Sequence, residues 1–353
     1  MSQRTLSGLL AAPLLVAMWL FVMLSPLPYV TYRPGPTVDI LAEQEGKEIV
    51  EVSGHQAYYE DGAEGGELRL TTIYVDQPEE DVNLVELMEA WLDDDSAVYP
   101  REAVYAPDET DEDKDVESSV QMVSSQDAAI ATALKELDYD VEEVVEILHV
   151  SKDMPADGKL EVRDVLLRVG DTPIREVQDV VDAVEATRPG QPLPFVVRRD
   201  GKELTVEVTP REVDGNPRVG ISPGPGFTFP FEVNVDVGDN IGGPSAGLMF
   251  SLAIYDTLTP GSLTGGHVVA GSGTIDADGK VGPIGGVQQK IAGAEQAQSE
   301  LFLMAADNCA DAAGVDPGDM LLVSVTTMHE AREAIETWVD DPDATLPTCE
   351  DET

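Results

Sequence analysis

The sequence predicts a multidomain α+β protein: an apolar N-terminal helix, an α/β stretch behind it, a β-rich domain with helices, and a C-terminal α/β domain. Three observations predict this. One nearly uncharged apolar run opens the chain, short alternating strands with turn signals fill its middle, and two Gly/Pro turns near the end each lead into a helix. A chain of 353 residues has room for two or three domains. The boundaries read from the pattern are 1–30, 31–122, 123–212, 213–345 and a tail at 346–353.

Residues 6–30 read LSGLLAAPLLVAMWLFVMLSPLPYV. A bilayer core needs roughly 20 apolar residues as a helix, so the expectation is a transmembrane anchor. Trp19 lies inside the run, and Tyr29 and Tyr32 sit where an aromatic belt falls. A cleaved signal peptide is the competing reading, but Pro26 and Pro28 interrupt the place where its cleavage site belongs. Arg4 ahead of the run sets the expected orientation: a single-pass protein of the cell membrane, with the bulk of the chain outside the cytoplasm.

Behind this run, 48–52 and 67–75 alternate as short strands, 82–92 has helical spacing, and the acidic stretch 107–118 reads as an exposed loop. No chemistry is visible between 31 and 120, so a membrane-proximal spacer is expected. A helix is expected from Ser124, with Asp127 closing a weak capping box. Strands at 144–150 and 165–169, a helix at 177–186, and strands at 194–198 and 204–208 follow. The last two are joined by the turn Arg199-Asp200-Gly201-Lys202. With MPADGKLEVRDVLLRVGDTPI and VVRRDGKELTVEVTP, this order resembles a bacterial PDZ domain. PDZ domains add extended peptides to a sheet edge and hold a C-terminal carboxylate on a Gly-rich loop. The segment read as that loop, LDYDVEE at 137–143, has four acidic residues and no glycine, which disfavours carboxylate capture. Internal or unfolded segments, or a structural role, remain open.

Sixty-eight Asp and Glu against 21 Lys and Arg give a net charge of −47. Such a surface repels phosphate backbones, which argues against nucleic-acid partners. Solvation of the whole surface, in a medium salty enough to screen self-repulsion, is one reading of the charge, and an acidic patch that attracts basic substrates is the other. Cys309 and Cys349 fit no metal-ligand spacing, and the four histidines do not cluster, so no metal is expected. The two cysteines are either a disulfide tying the tail to the last domain or one buried and one tail thiol.

From residue 231 the chain reads FEVNVDVGDNIGGPSAGLMFSLAIYDTL. Gly242 and Gly243 permit a tight turn, Pro244 suits a first helical turn, and Ser245 and Ala246 follow at the helix N-terminus. Free N–H groups there favour a developing oxyanion, although serine is also a common N-cap. Residues 270–297 read AGSGTIDADGKVGPIGGVQQKIAGAEQA, with strands expected at 268–275 and at Val281, and Lys290 in the early turns of another helix. A cation there opposes the helix dipole, and burial favours the neutral amine, which can deprotonate a serine. Alone, Lys290 also fits an ordinary surface lysine.

The succession GPSAG, SGTID and GPIGGVQQK resembles the proteolytic domain of Lon, a serine peptidase with a Ser-Lys dyad, over roughly 217–340. The resemblance implies that Ser245 is the nucleophile and Lys290 the general base, with Ser272 hydrogen-bonded to the lysine. Gly243, Pro244 and Ala246 shape the nucleophile turn. Gly242 and Thr274 stand where the family often has acidic residues. No G-x-x-x-x-G-K-[ST] occurs, so no ATPase is expected in this chain. Together the parts resemble the membrane-anchored PDZ–Lon proteins of Gram-positive bacteria, and the acidic composition suits a halotolerant actinobacterium. That implies an ATP-independent endopeptidase acting on protein or peptide substrates without a cofactor, and by resemblance a homo-oligomer, a hexameric ring. A non-enzymatic PDZ/Lon-like scaffold and a tail-specific Ser-Lys protease are the alternatives.

Overall fold

A computed structural model describes residues 3–44, 46–59, 65–107, 109–213, 215–238 and 241–349; of these, the side chains of 3–10 and of 23 and 24 are not described. The side chain of Arg4, on which the expected orientation rests, and residues 350–353 of the expected tail therefore lie outside the description.

Two sheets organise the chain. The first is mixed and six-stranded, in the order Leu321–Val325, Leu301–Ala305, Val268–Ser272, Glu67–Val75, Tyr29–Asp39, Ala97–Pro100. Val268–Ser272 runs parallel to both neighbours, while Tyr29–Asp39 is antiparallel to its two. Side chains alternate between faces along a strand, so each face takes its own helices. On one face Leu68, Leu70, Val269 and Leu303 pack against Gly247–Leu258, Asp111–Glu136 and Met328–Asp340. On the other, Ala270, Phe302 and Met304 meet Val287 and Ile291 of Val287–Gln296. Gly247–Leu258 is buried almost all round, as befits a helix enclosed by sheet and helices.

The second sheet runs Lys202–Val208, Leu193–Arg199, Val165–Val169, Glu142–Val150, Ile221–Thr228. Val177–Glu185 covers it, with Val180 and Val184 packed on Leu166, Val169 and Phe195.

Four expectations are corrected. The stretch 31–122 is not a spacer: it supplies three strands of the first sheet and the N-terminal part of Asp111–Glu136. That helix begins at Asp111, not Ser124, and replaces the expected acidic loop. Thr110 and Asp113 form its capping box, and Asp111, Glu112 and Asp113 lie in the first turn, where negative charge meets the positive end of the helix dipole. The second sheet does not end at 212, because Ile221–Thr228 returns to pair with Glu142–Val150. Pro223 and Pro225 hide this strand from pattern reading, and an edge strand tolerates them because one side needs no donors.

The fourth concerns the N-terminus. The apolar run divides between two structures: helix Gln3–Leu24, with Pro13 inside it, and the sheet strand Tyr29–Asp39, in which Val30 is fully buried. Among the described residues no helix is long and apolar enough to cross a membrane. The expected single-pass anchor, and the membrane location built on it, are therefore unsupported.

Candidate active site

The turn carrying Ser245 is fixed from both sides. Gly243 has φ 84°, which favours glycine, and Pro244–Ala246 form a 3₁₀ turn that runs directly into Gly247–Leu258. From one side Asp111–Glu136 grips it: Ser125 Oγ donates to the Pro244 carbonyl at 3.1 Å, and the Gly243 N–H donates to the Ser118 carbonyl at 3.4 Å. Contact is close enough that a Cβ at Gly242 would lie 2.0 Å from Ser118 Oγ, and one at Gly247 2.8 Å from Ser125 Oγ. No side chain fits at Gly242 without displacing Ser118, which is a physical reason for the missing acidic residue there.

From the other side the end of Val268–Ser272 closes on the turn. The Ser245 carbonyl accepts from Ser272 Oγ at 2.9 Å and from the Gly273 N–H at 2.9 Å, and the Leu248 N–H donates to the Gly273 carbonyl at 3.0 Å. Ser272 sits at the C-terminal end of a strand flanked by parallel neighbours, where α/β sheets usually present their sites.

Lys290 reaches the same point from the opposite face. It is the fourth residue of Val287–Gln296, which starts from Gly286 in the left-handed conformation, and it is 2% exposed. Its Nζ donates to Ser272 Oγ at 2.9 Å. Burial pushes its pKa down from 10.5 to about 7, because the charged form loses its hydration. Ser272 Oγ spends its single proton on the Ser245 carbonyl and so acts as acceptor toward Lys290. The relay from lysine to nucleophile turn is therefore directional. A cleft of about 250 Å³ adjoins these elements, lined by Thr274, Ile275, Gly282 and Pro283 with the charged Asp276, Lys280 and Asp307.

Of the residues singled out from sequence, Lys290 and Ser272 are bonded side chain to side chain, Ser272 also bonds the main-chain carbonyl of the half-buried Ser245, and Gly243, Pro244 and Ala246 form the turn. Sequence reasoning missed Ser118 and Ser125. They lie on a helix more than a hundred residues upstream, and a serine in an acidic or alanine-rich helix carries no local signal. Cys309 and Cys349 are bonded, with Cα atoms 5.3 Å apart, and pack against the cluster that holds Val287 and Ile291. Among the described residues no group of three or more His, Cys, Asp or Glu is placed to hold a metal.

Comparison with known proteins identifies both domains. Residues 114–209 match the PDZ domain family, and residues 237–336 match the Lon protease (S16) C-terminal proteolytic domain. Serine endoprotease DegS of Escherichia coli strain K12 is 39% identical over 64 residues, which is 18% of this chain and 18% of DegS. DegS of Escherichia coli O157:H7 matches equally. The chain thus spans under a fifth of the length of these curated relatives. Among solved structures, the PDZ domain of an SdrC-like protein from Listeria innocua is 21% identical and covers 23% of this chain and 92% of its own, with a TM-score of 0.22. The PDZ domain of the Listeria monocytogenes SdrC-like protein is 20% identical over 23% of this chain and 86% of its own, also at 0.22.

Proposed function

We propose that this serine peptidase, which joins a PDZ domain to a Lon-type proteolytic domain, cleaves accessible protein segments with a Ser245–Lys290 dyad and without ATP. The observation that carries the reading is the buried Lys290 amine, with its pKa near 7, bonded to the serine that holds the Ser245 carbonyl. Neutral Lys290 takes the Ser245 Oγ proton as Oγ attacks the peptide carbonyl carbon. The resulting ammonium returns that proton to the departing amine as the C–N bond breaks, leaving an acyl-enzyme. Water, deprotonated by the same amine, then releases the acid and restores Ser245. The N–H groups of Ser245 and Ala246 lie in the first turn, where no intrahelical acceptor exists, and serve the oxyanion. General-base help of this kind is worth ~10²–10⁴ in rate.

The PDZ domain supplies substrate contact in this reading. One edge of its sheet is Ile221–Thr228, where Pro223 and Pro225 have no N–H to offer an added strand, and the other is Lys202–Val208, which carries no proline. Strand addition is disfavoured at the first edge alone. A hexameric ring, implied by resemblance, is tested by sedimentation.

The decisive experiment compares the full chain with Ser245→Ala and Lys290→Ala on an unfolded fluorescent protein, together with labelling by a serine-directed phosphonate. Hydrolysis and labelling by the wild type, and loss of hydrolysis in both variants, are expected. Hydrolysis surviving in either purified variant refutes the dyad, and an unreactive wild type returns the chain to a scaffold role.

A further inference from the structure

The helix that grips the nucleophile turn also grips the PDZ domain, one residue further along. Ser125 bonds Pro244, while Gln126 and Asp127 face Arg163, in the loop between two PDZ strands. Arg163 Nη2 donates to Gln126 Oε1 at 3.0 Å, and Nη1 reaches Asn234 Oδ1 at 3.5 Å. Its Nε lies 3.2 Å from Asp127 Oδ1, as an ion pair without an aligned hydrogen bond. Gln126 Nε2 in turn donates to the Val235 carbonyl at 3.0 Å. Arg163 holds this place with φ 69°, a left-handed conformation that strains a non-glycine residue. Such strain persists only where surrounding contacts demand it.

Beside Asp127, Glu146 enters from the PDZ strand Glu142–Val150. The two carboxyl groups are 2% and 3% exposed, and Asp127 Oδ2 and Glu146 Oε1 have no protein donor. They border a cavity of about 180 Å³ with Val165, Phe227, Phe229 and Val233. A proton shared between the two acids resolves both unmet oxygens. Consistent with this, burial and the adjoining Asp127 carboxyl push the Glu146 pKa far above the carboxylate range. The titratable or charged groups facing Glu146 are Asp127 on the helix, Arg163 on the loop and Glu232 on the strand Glu232–Val235. Arg163 is the one cation among them. Loss of the shared proton leaves adjacent buried anions against a single guanidinium, which drives the PDZ sheet away from the helix.

We propose that Arg163 is a positioning residue for the nucleophile turn, acting through Gln126 and Asp127, and that the Glu146–Asp127 pair makes this interdomain latch proton-dependent. The proposal rests on the peptidase reading for its kinetic readout only.

The test uses the full chain with Arg163→Gln, Arg163→Lys and Glu146→Gln, following peptide hydrolysis across pH and hydrogen exchange of the amides of 243–247. Arg163→Gln is expected to lower kcat about ten-fold with KM unchanged, and Arg163→Lys, which keeps charge but loses the planar fork, to recover only part of it. Wild-type kcat is expected to fall on the alkaline side of its plateau. Glu146→Gln, which cannot lose a proton there, keeps the neutral-pH kcat and abolishes that fall. Exchange at 243–247 is expected to quicken in Arg163→Gln, and in the alkaline wild type but not in Glu146→Gln. Should Arg163→Gln fail to fold, the Glu146→Gln profile decides. Wild-type kcat in folded Arg163→Gln, or an alkaline fall unchanged in Glu146→Gln, overturns the proposal. If the wild type hydrolyses nothing, the peptidase reading fails and the exchange data alone decide the latch: protection at 243–247 unaffected by either substitution overturns it.

Discussion

Replacing Lys290 by methionine is expected to destroy activity and to stabilise the fold. In the unfolded chain the amine titrates near its ordinary 10.5, whereas burial brings the folded value to about 7. Between those values the unfolded state binds a proton that the folded state releases, so stability rises with pH across that window. The penalty is complete below the folded pKa, where at ~1.4 kcal/mol per pH unit it reaches about 5 kcal/mol, and it vanishes above the unfolded one. Near neutrality it is about 4 kcal/mol by the same arithmetic. Methionine is unbranched, of similar length and uncharged, and it forfeits the bond to Ser272 Oγ, worth about 1 kcal/mol. A net gain of about 3 kcal/mol near pH 7 follows, shrinking to about zero near pH 10. Urea unfolding followed by the fluorescence of Trp338, buried in the same domain, measures it at both pH values. A variant less stable than wild type at neutral pH, or a difference that does not shrink toward alkaline pH, refutes the account of Lys290 as a buried, readily neutralised amine.

Three further outcomes follow from the same centre. Peptide hydrolysis should rise with pH and level off above about 7, as Lys290 loses its proton, and a rate flat from acid to neutral pH excludes this lysine as base. Ser272→Ala should lower kcat ~10-fold by releasing both the amine and the Ser245 carbonyl, while Ser272→Thr, which keeps the hydroxyl on a strand, should retain most of it in steady-state assays. Cys349→Ser should cost ~4 kcal/mol by freeing a loop of 40 residues in the unfolded chain, a difference from wild type that reducing agent abolishes in urea unfolding.

The candidate site was legible because it is encoded locally. GPSAG and GPIGGVQQK each place a candidate side chain, Ser245 or Lys290, just past a turn that glycine and proline prescribe, and the structure needs only to bring two turns together. The middle strands were legible for the same reason, since alternation and Asp-Gly turns are local. Three things were not. Asp111–Glu136 reads as a solvated acidic loop over its first turns because capping and dipole effects there outweigh the low helix propensity of aspartate. Ile221–Thr228 carries two prolines and two glycines and becomes a strand only because Glu142–Val150 offers it an edge. The strands Tyr29–Asp39, Glu67–Val75 and Ala97–Pro100 join a sheet whose other three members lie some two hundred residues away, and no pattern in a single sequence announces that pairing.

That long-range pairing changes how the two domains relate. The peptidase sheet takes strands from both sides of the PDZ domain, which is therefore inserted into it rather than placed before it. Inserted domains communicate through the elements where the chain enters and leaves. Here the chain enters from Asp111–Glu136, whose Ser118 and Ser125 hold Gly243 and Pro244. It leaves toward Glu232–Val235, whose last carbonyl is held by Gln126 of the same helix. Both ends of the insertion are thus tied to the one helix that fixes the nucleophile turn. A displacement of the PDZ sheet therefore reaches the rest of the fold through that helix and through Glu232–Val235, which pairs with Val50–Ser53. On the proposed reading, the position of the insertion links a segment held by the PDZ domain to the geometry of Ser245.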